Sequence, residues 1–349
     1  MRCPRASPLM MWYGSAMSDD TEIPPSTTPM PLATTVGGFA DTNEATEFAH
    51  ILVSVLHTLG TVFDLSRLEA VTATDDYPAA LAAVDRGFAA SNVAARSENE
   101  NMVGVAMCVF NLREGVPMVH LLFEIGPVLA LKTHKFGDPE YAQALQRVAH
   151  ECAHIEDMKK RDEAYPGVIL QQKVTDVLDH MFLPTALSMW EEYYACRRTA
   201  LFWQDATVDF ATVLLGCLET CQPAIDDAIR RYRDHADLDV LVDETLERSC
   251  RIFKLAAYLI GHLDGLGQDW GAVPEIAEQL ASTELGELMD EMANELRRLW
   301  HLDGQWHGVS DFSTLMDIAI DGYGVAGVTA MPGAGGGALL DVPFTSHTV

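Results

Sequence analysis

The chain has 349 residues, with 51 Asp and Glu against 23 Lys and Arg, a formal net charge of −28. Phosphate contacts need Lys and Arg, and an anionic bilayer repels an acidic protein, so this balance argues against a nucleic-acid surface and against membrane docking. Hydrophobic residues make up 48%, enough for a packed core, and the length makes two domains the starting expectation.

Met1–Trp12 is basic and briefly apolar, but its apolar run is shorter than the roughly 7–15 residues of a signal h-region. Met17 opens a polar stretch and reads as the start of translation. No run reaches the roughly 18 uninterrupted apolar residues of a membrane span. The seven cysteines are odd in number and mostly sit in apolar, helical context, which predicts reduced thiols and a cytoplasmic protein.

In chain order, residues 1–43 read as a disordered leader, rich in Pro and Thr from residue 18 onward. Phe48, Leu52, Val55, Leu56 and Leu59 recur at helical spacing and predict a helix over Glu44–Leu59. Leu68–Thr74 reads as a strand and Pro78–Arg86 as a short helix. Val103–Leu112 and Val116–Ile125 are apolar and β-branched. They predict a hairpin closed by Arg113-Glu114-Gly115, with Pro117 demoting the second strand towards a sheet edge.

Asp138-Pro139-Glu140 announces a helix running to about Glu163: Asp can cap it, Pro suits the first position, and Glu favours the positive dipole end. Further helices are expected over Leu170–His180 and, after Pro184, over Thr185–Trp203. Ala206–Leu302 is helical almost throughout, with breaks near His235–Asp239 and Gly261–Gly271. Arg230-Arg231-Tyr232-Arg233 is its densest basic spot, where an acidic partner could dock. The fold class is α+β. A mixed α+β part over 44–204 precedes an all-helical part over 205–320 and a flexible glycine-rich tail, 321–349.

The residues that carry chemistry lie on the helix that starts near Asp138. His150-Glu151-Cys152-Ala153-His154 is HExxH, the zinc-peptidase signature. Two His four apart stack one turn above each other, so both imidazoles can reach one metal ion. Glu151, about 100° further round, can act as general base without being a ligand. The helix's apolar stripe is Tyr141, Leu145, Val148, Cys152 and Ile155, and both His fall roughly opposite it. Asp157 and Lys160 stand where the longer metzincin motif needs Gly and His, which excludes that subclass.

A third ligand is expected from Trp190-Glu191-Glu192-Tyr193-Tyr194-Ala195-Cys196-Arg197. Glu192 shares its face with Ser188, Ala195, Cys196 and Thr199, small residues that allow close helix approach. Glu191 faces with Arg198, which could neutralise it. Glu192 is therefore favoured. His180, Tyr165, Tyr193 and Tyr194 are candidates for stabilising an oxyanion.

A hairpin, the His150–His154 helix, and Glu192-Tyr193-Tyr194-Ala195-Cys196 on a following helix together resemble a gluzincin metallopeptidase. The Glu-x-x-Ala-x pattern is similar to that of the ImmA/IrrE-like intracellular peptidases, over residues 44–203. The resemblance implies a zincin-like domain, with a small mixed sheet, edge hairpin, active-site helix and ligand-Glu helix. It also implies Zn2+ on His150, His154 and Glu192, with Glu151 as the catalytic base of peptide-bond hydrolysis. The substrate would be a protein or peptide, and the helical C-terminal half a cover or partner surface. Cys196 departs from the pattern, because many gluzincins place Asp or Asn there to orient a His ligand. The alternative reading is a catalytically inactive zincin-like binding or regulatory module.

Overall fold

The computed structural model describes residues 24–89, 96, 98 and 102–348. Residues 1–23, with the apolar start and Met17, lie outside the described residues. The rest divides into two compact units. One comprises the residues up to Ser97 plus Gly104–Lys159, the other Glu98–Val103 and the residues from Lys160 onward. The sequence pattern places the division near residue 204. The structure divides within a helix, after Lys159, because the helices that follow Lys160 pack on the C-terminal helices.

The first unit is a small mixed sheet with helices. β1 (Ala33–Val36) leads into α1 (Thr42–Leu59), capped by the Asp41 side chain on the Asn43 N–H, and on to β2 (Leu68–Thr74). α1 buries the Phe48, Leu52, Val55, Leu56 and Leu59 stripe read from the sequence. α2 (Tyr77–Ala82) is capped by Asp76. β3 (Ala106–Arg113) and β4 (Val116–Glu124) form the hairpin. Glu114 and Gly115 alone make its turn, with φ of 53° and 83°, and the two positive values match the right-handed twist of the strands.

The sheet order is β1-β2-β4-β3, parallel except for β3 with β4. Two expectations change here. Part of the segment read as disordered leader forms β1, because Thr34, Thr35 and Val36 are β-branched and find the open side of β2. The strand read as an edge, β4, lies inside the sheet, and β3 is the edge. Pro117 is tolerated because it pairs with Leu112 on the β3 side, while the β2 ladder starts only at Val119.

α3 (Pro139–Ala164) follows β4 after two short helical turns, with Pro139 at its first position. α4 (Val177–Thr199) opens the second unit's helical array. It is one helix where the sequence reads two. Pro184 removes one backbone bond, at a cost of ~3 kcal/mol. The buried stripe of Leu178, Phe182, Ala186, Met189 and Trp190 holds the helix together through it. Asp176 accepts from the Leu178 and Asp179 N–H groups and fixes the start.

α5 (Ala206–His235) and α6 (Leu238–Leu266) form an antiparallel pair joined at Ala236, which is left-handed, and Asp237, which caps α6. α5 is the one described helix long and apolar enough to cross a membrane by length and composition. Its Ala211, Leu214, Cys217, Cys221 and Ile225 stripe is buried within this unit, and α5 packs along α6. α7 (Pro274–Leu280), α8 (Glu284–Leu302) and α9 (Ser313–Val325) complete the array. The segment read as a flexible tail holds the end of α9 and a hairpin of β5 (Thr329–Pro332) with β6 (Ala338–Asp341). The basic spot on α5 anchors the residues beyond it. Arg233 donates to the Val342 and Pro343 carbonyls and stacks on Phe344, and Arg230 donates to the His347 carbonyl.

The tightest approach is α6 on α4. A Cβ added at Gly261 would lie 2.4 Å from the Tyr193 carbonyl oxygen, and one at Gly265 would lie 2.5 Å from that of Arg197. Both obstacles are backbone, which cannot rotate away. A helix-interior Gly→Ala change ordinarily stabilises by up to ~1 kcal/mol. Here overpacking should reverse the sign. Gly261→Ala is expected to destabilise by about 1–3 kcal/mol, read as a lower thermal midpoint. An unchanged or raised midpoint would contradict this packing.

Candidate metal centre

α3 is unusual in being buried on its polar side as well as its apolar one. Val148, Ala149, Cys152, Ala153 and Ile155 are fully enclosed, while His150, Glu151, Glu156 and Asp157 are also buried. Buried charge is costly unless paired or liganded. Some of this polarity is satisfied inside the first unit. Glu156 accepts from the Asp64 N–H at 3.0 Å, and Lys159 pairs with Asp64 at 2.5 Å.

The two imidazoles meet edge to face, with centroids 4.7 Å apart and planes at 86°. Their Nε2 atoms lie 3.1 Å apart. Two nitrogens bound at 2.0–2.1 Å in a tetrahedral shell would be about 3.3 Å apart, so this spacing fits a shared ion. The i, i+4 spacing on one helix is what makes both rings converge. Glu151 is 7% exposed. The Cys108 thiol on β3 donates to its backbone carbonyl at 3.1 Å, which ties the edge strand to this turn of α3.

Glu192 on α4 is also 7% exposed. One ligand atom from each of His150, His154 and Glu192 lies within 4.8 Å of the others, and this buried group could hold a metal ion. The donor set fits a divalent transition ion: two neutral imidazoles and one carboxylate leave a tetrahedral position open. The neighbouring carboxylate has a different environment, since Glu191 is bonded by Arg161. The sequence offered Arg198 for that purpose; Arg161, on the last turns of α3, is a partner that the sequence reading did not name.

The other side chains singled out in the sequence sit in different surroundings. The Tyr193 hydroxyl donates to Asp264 at 2.7 Å and accepts from Arg197. Burial, with Asp264 next in importance, pushes its pKa up. The Tyr194 hydroxyl accepts from Lys160 at 3.1 Å. His180 is exposed on the first turn of α4, and Tyr165 is buried. Cys196 is fully enclosed, and burial together with the Glu192 charge raises its thiol well above the usual range, so it stays protonated.

One neighbour of the centre has no counterpart in the sequence reading. Lys254 Nζ on α6 lies 3.1 Å from Glu192 Oε1. Its signal was a single Lys inside the apolar run Ile252-Phe253-Lys254-Leu255-Ala256-Ala257, where a charge is out of place.

No protein-family model, curated protein or solved structure matches the chain.

Protein dialysed against a divalent transition metal should retain about one ion per chain. His150→Ala and His154→Ala should abolish retention, Glu192→Ala should weaken it strongly, and Glu191→Ala should not. Equal metal content in wild type and the His variants, measured by mass spectrometry, would refute the centre. Loss in Glu191→Ala in place of Glu192→Ala would mean that the neighbouring carboxylate is the ligand.

Proposed function

We propose that the chain is a zinc-dependent peptidase with a zincin-like arrangement, acting on a protein or peptide. The observation that carries this reading is the convergence of His150, His154 and Glu192 with a non-ligand carboxylate, Glu151, one residue along the same helix from the first ligand. The donor set suits zinc, which would supply a Lewis acid that polarises the scissile carbonyl and acidifies a water.

The chain's own residues do the rest. Glu151 takes a proton from the attacking water as its oxygen bonds the carbonyl carbon. When the C–N bond breaks, Glu151 passes that proton to the leaving amine nitrogen. The burial of Glu151 limits competition from bulk water. An extended substrate would add to the edge strand β3. Towards its C-terminal end that edge is occupied: the Leu112 N–H donates to the Arg86 carbonyl, and the Phe110 carbonyl accepts from Arg86 Nε. Strand addition therefore belongs near Ala106–Cys108, beside the Cys108 contact to Glu151.

The six described cysteines are free thiols, which supports a reducing, cytoplasmic setting. A second reading, a metal site without catalysis, draws on the protonated Cys196 where gluzincins carry an orienting Asp or Asn.

The two readings part at Glu151→Gln. An amide cannot accept the water's proton, so cleavage should fall by a factor of about 10²–10⁴ while zinc content stays unchanged. The measurement needs a substrate that wild type cuts, found by profiling new peptide termini in a protein mixture. Undiminished cleavage by zinc-loaded Glu151→Gln would eliminate the proposed base. Wild type that binds zinc and produces no new termini would favour the non-catalytic reading.

A further inference from the structure

We propose that Lys254 is the resident counter-ion of the ligand carboxylate, a positioning residue that holds Glu192 and competes with the incoming metal ion. The proposal rests on reading His150, His154 and Glu192 as a metal centre. The ion pair spans 3.1 Å, with the Glu192 side chain 9% exposed and that of Lys254 33% exposed.

Three features make this contact more than a surface pair. Glu192 is nearly enclosed, and a carboxylate removed from water needs a cation close by. Lys254 stands in an otherwise buried stretch of α6, where Ile252, Phe253, Leu255, Ala256 and Ala257 are all enclosed. The register between the two helices is also fixed. Gly261, seven residues from Lys254 and so two turns along one face, rests on the backbone of Tyr193, the residue after Glu192.

A lysine suits this role better than an arginine. It is a compact point charge on a flexible stem, able to hold the carboxylate and to swing towards water when another cation arrives. The ammonium and a divalent ion neutralise the same carboxylate and repel each other. Lys254 therefore keeps α4 and its ligand ordered in the metal-free protein, at the expense of metal affinity.

The test measures zinc affinity by competition with a chromophoric chelator, and the thermal midpoint of the zinc-free protein. Lys254→Met should lower the midpoint and raise zinc affinity on the order of tenfold. Lys254→Arg keeps the charge and should hold the midpoint near wild type without raising zinc affinity. If Lys254→Met does not fold, Lys254→Gln carries the same expectation. Equal or weaker zinc affinity in the uncharged variants, beside a wild type that binds zinc, would overturn the role of Lys254 and leave the centre standing. A wild type that binds no zinc would overturn both.

Discussion

The structure depends on how charge is buried along one helix. α3 is enclosed along its apolar stripe by ordinary packing, and His150, Glu151, Glu156 and Asp157 are buried on it as well. A buried ionised group costs several kcal/mol unless compensated. The partners are specific: on α3 Glu156 accepts from a backbone N–H and the buried Arg161 pairs with Glu191 of α4, while Glu192 of α4 pairs with Lys254 of α6. The His pair, with Nε2 atoms 3.1 Å apart, is the part of the arrangement that a metal ion would complete.

The second constraint is steric and keeps Glu192 in place. α4 carries the carboxylate, and Gly261 and Gly265 of α6 bring the two helices to backbone contact. On the same helix, Trp190 sits among Tyr193, Tyr194, Trp306 and Phe312, with ring centroids 5.4–6.1 Å from its own. Offset and edge-on aromatic contacts of this kind fix rotation about the helix axis, which decides whether Glu191 or Glu192 faces inward. The Arg197–Tyr193–Asp264–Arg297 network adds directional bonds that join α4 and α6 to α8. The single-residue choice between the two glutamates thus rests on the packing of the aromatic residues that flank them, Trp190 and Tyr193.

What the sequence made legible is what local spacing encodes. The His150–His154 interval, the Asp138-Pro139-Glu140 start and the turn before Val116 each carry their physics within a few residues. Non-local partners are different. β1 was hidden because Pro- and Thr-rich composition signals disorder unless a neighbouring strand has an open side, as β2 does. Pro117 suggested an edge strand, but whether a proline disrupts a sheet depends on where the second neighbour's ladder begins. Pro184 suggested a break in α4, yet tertiary burial outweighed one lost bond. Lys254 lies 62 residues from Glu192, and no local rule links them; only the anomaly of a lone charge in an apolar run was available.

The central claim is a metal centre of two imidazoles and one carboxylate, with sulfur excluded despite Cys152 and Cys196 lying on the same two helices. X-ray absorption at the zinc edge of the zinc-loaded protein tests it directly. A shell of nitrogen and oxygen neighbours at about 2.0–2.1 Å is expected, including two imidazole signatures, and no sulfur. A sulfur neighbour at about 2.3 Å, or a shell of water oxygens without imidazole scattering, would contradict it.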